Sequence, residues 1–142
     1  MDALSRISRE HGQVYEALTV FKKLIEVESD QASFMKMREF FRDLVVPHFK
    51  FEEDQLFPIM LKYGVSEEKA VTEELLKEHA GIMEAFAKFS AAFDIVVDGD
   101  FEGNPALKAM TTGIAKMLLD HTHKEDKSFY PNLKRYLLRP QK

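Results

Sequence analysis

The chain is predicted to be all-α, an up-down-up-down antiparallel four-helix bundle, and three observations carry that expectation. Apolar residues recur at helical spacing through four long segments, the alternation of a strand appears nowhere convincingly, and each pair of segments is separated by residues that favour turns and caps. At 142 residues with 45% hydrophobic content, the chain is expected to form one domain over residues 1–142 around a single core.

The first segment places Ile7, His11, Val14, Leu18, Phe21 and Ile25 on one stripe and ends near Ser29-Asp30. The second carries Phe34, Met37, Phe41, Leu44 or Val45, His48, Glu52 and Ile59, and Gly64 is expected to close it in a left-handed cap. Ser66 is expected to N-cap the third segment, with Glu67 and Glu68 in its first turn and Leu75, His79, Ile82, Phe86, Phe89 and Phe93 on its apolar face. The run from Asp98-Gly99-Asp100 to Gly103 reads as a loop, with Asn104 as N-cap and Pro105 as first residue of the fourth segment. That segment carries Leu107, Met110, Ile114, Leu118, His121, Glu125, Phe129 and Leu133. Pro47, Pro58 and Pro131 fall inside apolar-periodic stretches and are expected to bend their helices without ending them, since the periodicity continues beyond each.

Bulk composition narrows the chemistry. The net charge is −4 with acids and bases interspersed, so neither a nucleic acid nor a membrane surface is an expected partner. Cysteine is absent, which excludes disulfides, thiolate metal sites and a cysteine nucleophile. The N-terminal residues Met1-Asp2-Ala3-Leu4-Ser5-Arg6 carry no apolar core of signal-peptide length and no run approaches a membrane span, so the expected location is cytoplasmic.

One motif occurs twice. His48-Phe-Lys-Phe-Glu52 and His121-Thr-His-Lys-Glu125 each place Glu four residues after His, followed by an acidic residue, two bulky apolar residues and Pro at the tenth place after the His. Each copy follows a lone His that itself follows Glu, namely Glu10-His11 and Glu78-His79. In an antiparallel bundle, residues equally distant from a turn share a height. His11 lies 19 residues before residue 30 and His48 lies 18 after it; His79 and His121 each lie 21 residues from residue 100. Glu52 and His79 are similarly matched about the second turn, so His11, His48, Glu52, His79, His121 and Glu125 are expected in one layer.

Ionisable groups on an apolar stripe cost several kcal/mol each, in order of magnitude, unless paired or coordinated. No Lys or Arg falls at that depth to neutralise the acids, so the layer is expected to hold metal. The i, i+4 spacing puts His and Glu on one face about 6 Å apart along the axis, which lets a Glu from each of two helices span two ions while the histidines cap them. Nitrogen and oxygen donors suit iron, with manganese or zinc as substitutes. His123 is expected to face solvent, Tyr15 to serve mainly in packing, and Glu10, Glu53, Asp54 and Glu78 to form charged surface or weak interhelical pairs, with orientation of a ligand imidazole as their alternative use.

These residues resemble the hemerythrin family, and within it the His-His-Glu cation-binding domains, across essentially the whole chain. The resemblance implies that the four histidines ligate two irons, that Glu52 and Glu125 bridge them, and that an oxo or hydroxo group completes the bridge. Oxygen-carrying hemerythrins have two histidines four apart on the third helix, whereas here the places on either side of His79 are Leu75 and Met83. Of about twelve positions on two six-coordinate irons, four His, two bridging carboxylates and one bridging oxygen fill about ten, leaving about one open on each. Reaction with O2, NO or peroxide in sensing, scavenging or iron handling is therefore the leading expectation. Iron donation to damaged iron centres and a regulatory module with a structural metal are the alternatives. Asp126, five residues after His121, also meets the spacing used by the carriers, but it is rotated about 140° from His121 against about 40° for Glu125, so Glu125 is the expected carboxylate and Asp126 the reserve.

Overall fold

The fold was analysed in a computed structural model that describes residues 3–27, 29–97 and 99–137; Met1, Asp2 and Asp98 of the features above lie outside the described residues. Four helical rods form an up-down-up-down antiparallel bundle, and no strand occurs among the described residues. Helix α1 is Ala3–Val27. Helix α2 runs continuously over 31–63, with π turns at Phe41–Val45 and Glu52–Leu56. Helix α3 is Ser66–Asp94, and helix α4 runs over 105–137 with a π turn at Glu125–Phe129. Helices α1 and α3 each pack against both α2 and α4. None of the described helices is long and apolar enough to cross a membrane.

The turn chemistry follows the sequence at two of the three junctions. Ser29 takes a positive φ of 36°, and the Asp30 carboxylate caps α2 by accepting from the Ser33 amide at 2.8 Å. Asn104 caps α4 through Leu107 N–H at 3.0 Å, with Pro105 as first helical residue. The Gly103 N–H, on a loop residue with φ of 63°, bonds to the Ser29 carbonyl at 2.9 Å and ties these two junctions together.

The junction of α2 and α3 departs from expectation. Gly64 is extended, at φ −69° and ψ 157°, and forms no left-handed cap. Glycine is required there by crowding, since a Cβ would lie 2.5 Å from the Met60 carbonyl oxygen. Ser66 is already helical and caps nothing. The exposed N-terminal amide of Val65 is met by the Glu68 carboxylate, which accepts from it at 2.9 Å.

The three internal prolines leave their rods continuous, and each is accommodated by a π turn. Proline lacks an N–H and its ring collides with the carbonyl four residues back. In each rod the residue just before the proline donates five residues back: Val46 to the Phe41 carbonyl, Phe57 to Glu52 and Tyr130 to Glu125. The inserted residue also advances the helix phase. Ile59, placed inward by a regular period, is only half-buried, and Met60 takes its place at 1% exposure.

Apolar packing is divided by a polar layer. Towards the 29–30 and 95–104 end lie Val14, Phe41, Phe49, Ile82, Leu118 and their neighbours. Towards the 64–65 turn lie Ile7, Leu56, Phe57, Leu75, Phe129 and Leu133. On every rod the layer residue sits between members of these two clusters, as His11 does between Ile7 and Val14.

The lower end is fastened by Glu68, which also accepts from the Tyr136 hydroxyl at 2.5 Å and pairs with Arg135. The Tyr136 hydroxyl bond is the main influence holding the Glu68 carboxyl below its usual pKa, against the opposing effect of burial. A depressed folded pKa makes this contribution complete above the unfolded value of about 4.3 and lost as pH falls through the folded value. Glu68→Ala should lower unfolding free energy at pH 7 by about 1–2 kcal/mol. Chemical denaturation should show the gap between variant and parent closing in acid; a gap that widens as pH falls would contradict the assignment.

Candidate metal centre

Six side chains from four rods meet in the layer. Helix α1 supplies His11, α2 supplies His48 and Glu52 one turn apart, α3 supplies His79, and α4 supplies His121 and Glu125 one turn apart. All six are at most 3% exposed. They form two overlapping groups: His11, His48, Glu52 and Glu125, and Glu52, His79, His121 and Glu125. Within each group, one donor atom per residue lies within 4.8 Å of all the others. The two carboxylates belong to both groups, which is the arrangement of two adjacent cation positions with shared bridges.

Orientation of the rings comes from carboxylates outside the layer. His11 Nδ1 meets Asp126 Oδ1 at 2.7 Å, and His48 Nδ1 meets Glu10 Oε1 at 2.7 Å. His79 Nδ1 meets Glu53 Oε2 at 2.8 Å, and His121 Nδ1 meets Glu78 Oε1 at 2.9 Å. A neutral imidazole so held donates through Nδ1–H and turns the lone pair of Nε2 inward. The pattern repeats with the sequence. The acid preceding each lone His supports the His of the following rod, and the acid following each inner Glu supports a lone His across the bundle.

Polar atoms at the centre are left without protein partners. Nε2 of His11, His79 and His121, Oε1 of Glu52 and both carboxylate oxygens of Glu125 are buried and make no hydrogen bond. Native interiors keep few such atoms, because each costs about 1–3 kcal/mol, and here six meet in one layer. Two donors about 2.1 Å from a common cation and at right angles around it stand about 3 Å apart. The inner pairs approach that spacing: His11 Nε2 to Glu125 Oε1 is 3.2 Å, His79 Nε2 to Glu52 Oε1 is 3.2 Å, and His48 and His121 each lie 3.4 Å from their own i+4 Glu. The residues therefore fit a pair of metal ions.

Without cations, burial and neighbouring charges shift the proton affinities of the layer residues. Burial pushes the Glu125 carboxyl well above the usual range, and the neighbouring Glu52 charge adds to that. Burial also acts most strongly on Glu52, but the nearby imidazoles of His48 and His79 outweigh it and hold that carboxyl well below the usual range. Burial disfavours the charged form of His11, yet Asp126 and Glu125 together push its pKa up to about 9. His48 is raised by Glu52 and Glu10 against the effect of burial, while burial prevails at His121 and lowers it.

The structure brings all six predicted residues together and revises the roles of their neighbours. Glu10, Glu53 and Glu78 are not idle surface acids, because each holds an imidazole of the layer. Asp126 points away from the centre, as its rotation on the helix predicted, and serves His11. Asp54 stays at the surface beside Lys50, and His123 is exposed, stacked on Tyr15 at 5.2 Å. The Tyr15 hydroxyl does more than pack, donating to Asp126 Oδ2 at 2.6 Å. Sequence reasoning missed Tyr130, whose hydroxyl donates to Glu52 Oε2 across the bundle. The signal for the outer acids was their doubled occurrence at −1 from the lone histidines and +1 from the paired glutamates.

No individual curated protein and no solved structure matches the chain. The family model described as hemerythrin HHE cation binding domain matches residues 2–133, so the match takes in every rod and all six layer residues. Sequence match, bundle topology and the inward-facing His and Glu donors agree, and the chain belongs to the hemerythrin HHE cation-binding family.

Proposed function

We propose that the chain is a non-haem di-iron protein that binds or reacts with O2, NO or peroxide. The observation carrying this reading is the pair of donor groups sharing Glu52 and Glu125, with unpaired nitrogen and oxygen atoms facing one another. His11 and His48 would hold one ion, His79 and His121 the other, and Glu52 and Glu125 would join them. A donor set of imidazole and carboxylate without sulfur favours iron. When bound, a di-iron pair with its bridging oxo or hydroxo group supplies one-electron and two-electron redox chemistry towards small oxidants.

The chain's own contribution is positional. Four carboxylates fix the imidazoles, the two glutamates supply the negative charge that draws cations into an otherwise apolar bundle, and the flanking Phe49, Phe57 and Phe129 exclude water. The absence of a His partner four residues from His79 supports reactivity over sealed carriage, because fewer protein donors leave more positions for exogenous ligands.

Anaerobic addition of ferrous iron followed by air is expected to give about two irons per chain and an oxo-bridged near-ultraviolet absorption. Nitric oxide added to the ferrous form should alter the visible spectrum. A protein that stays colourless and iron-free would refute the reading, whereas iron that raises the melting temperature but leaves no response to O2, NO or peroxide would assign it a structural role.

Glu125→Ala removes the carboxylate shared by both groups and should cut bound iron from about two per chain to one or none by metal analysis. Glu53→Gln and Asp126→Asn keep the inner donors but loosen His79 and His11, and each should weaken iron binding by about 10–100-fold. Parental iron affinity in both would show that the outer acids do not hold the rings.

A further inference from the structure

The four outer acids are partnered differently on their far sides. Glu10 and Glu78, which hold His48 and His121, each give their second oxygen to a cation: Arg6 Nε lies 3.3 Å from Glu10 Oε2, and Lys124 Nζ lies 2.7 Å from Glu78 Oε2. Asp126, which holds His11, gives its second oxygen to the Tyr15 hydroxyl, and Glu53, which holds His79, is exposed to water, as Asp126 is. Each proposed ion therefore faces one histidine backed by a cation-paired acid and one backed by an acid open to solvent.

The two cations do not occupy equivalent places in the repeat. The α1–α2 and α3–α4 hairpins correspond when Glu10-His11 is laid on Glu78-His79 and Glu52 on Glu125. The position four residues before the outer acid is then Arg6 in one hairpin and Glu74 in the other, and the position before the inner Glu is Phe51 in one and Lys124 in the other. These two positions meet in both halves: the Arg6 guanidinium stands over the Phe51 ring at 3.9 Å, and Lys124 pairs with Glu74. The positive charge comes from α1 in one half and from α4 in the other, yet it reaches the equivalent outer acid, so the repeat alone does not account for it. The halves still differ by one charge, because Glu74 shares the Lys124 ammonium group with Glu78 while Arg6 has a neutral ring beneath it.

An acid that accepts from Nδ1–H pushes electron density towards Nε2 and raises the donor strength of the imidazole. A cation on the far oxygen of that acid draws the density back. We propose that Arg6 and Lys124 set the donor strength of His48 and His121 through Glu10 and Glu78, holding one donor of each ion weaker than its partner and so limiting how far the iron pair favours the ferric state. Both are positioning residues, and the inference rests on the di-iron reading above. Arg6 and Lys124 are only half-buried, so their ion pairs add little to folding and their effect is to be read at the metal.

The test measures the reduction potential of the iron-loaded chain and, in its ferrous form, the iron-shifted Nδ1–H proton resonances of the ligand histidines. Arg6→Gln and Lys124→Gln should each favour ferric over ferrous iron about three- to tenfold, a tenfold change being about 59 mV for one electron. Arg6→Gln should displace the Nδ1–H resonance of His48 and Lys124→Gln that of His121, with those of His11 and His79 unmoved, and Lys124→Arg should restore the parental values. Glu74→Gln leaves Lys124 to Glu78 alone and should move the balance towards ferrous iron; Glu74 is exposed, so this arm stands even if a cation variant folds poorly. Parental potentials in all of these variants, or shifts of potential with the His48 and His121 resonances unmoved, overturn this inference and leave the di-iron reading intact. A parent chain that takes up no iron overturns the di-iron reading and this inference with it.

Discussion

Six ionisable side chains between two apolar clusters impose the constraint on which the rest of this structure depends. Burying a carboxylate or an imidazolium in such a place costs several kcal/mol unless an opposite charge arrives to compensate it. Among the described residues, no Lys or Arg is buried in the layer. The bundle supplies a second ring of carboxylates, one behind each imidazole, which makes the region more anionic and increases its demand for positive charge. In the metal-free chain burial and the Glu52 charge raise the proton affinity of Glu125, and Asp126 and Glu125 raise that of His11 against its burial; cations answer the same demand in the proposed state.

The outer ring also explains why the bundle is specific in register. Glu10 reaches from α1 to His48 on α2, and Glu53 from α2 to His79 on α3. Glu78 reaches from α3 to His121 on α4, and Asp126 closes the circuit from α4 to His11 on α1. Sliding any rod by one turn, about 5.4 Å, would break two of these bonds and leave buried charges unpaired. Hydrophobic packing alone tolerates exchange among similar apolar surfaces, so the polar circuit fixes what packing leaves open.

Much of this was legible from spacing. The i, i+4 His and Glu pairs and the distances of each ligand-type residue from the nearest turn placed all six side chains in one layer, because both arguments depend only on helix rise and topology. The outer acids were harder, since a residue one position off the inner face points between rods, and the rod it meets depends on interhelical rotation. The π turns were hidden for a related reason. Pro47, Pro58 and Pro131 announced a disturbance but not its form, and the extra residue in the Glu52–Leu56 turn exchanged Ile59 for Met60 in the core. At Gly64 the sequence suggested a left-handed residue where the structure needs only the absence of a Cβ. Tyr130 was read as a bulky apolar residue in a repeated motif, and its hydroxyl acquires meaning only when Glu52 of another rod is seen beside it.

The central claim is that the layer holds two cations side by side, each between two histidines and both glutamates. Diffraction from crystals of the iron-loaded chain, recorded at the iron absorption edge, measures this directly. The account predicts two anomalous peaks per chain, one between His11 and His48 and one between His79 and His121, with Glu52 and Glu125 lying between them. Peaks located only at the protein surface, or a centre with no anomalous signal at full iron loading, would contradict it.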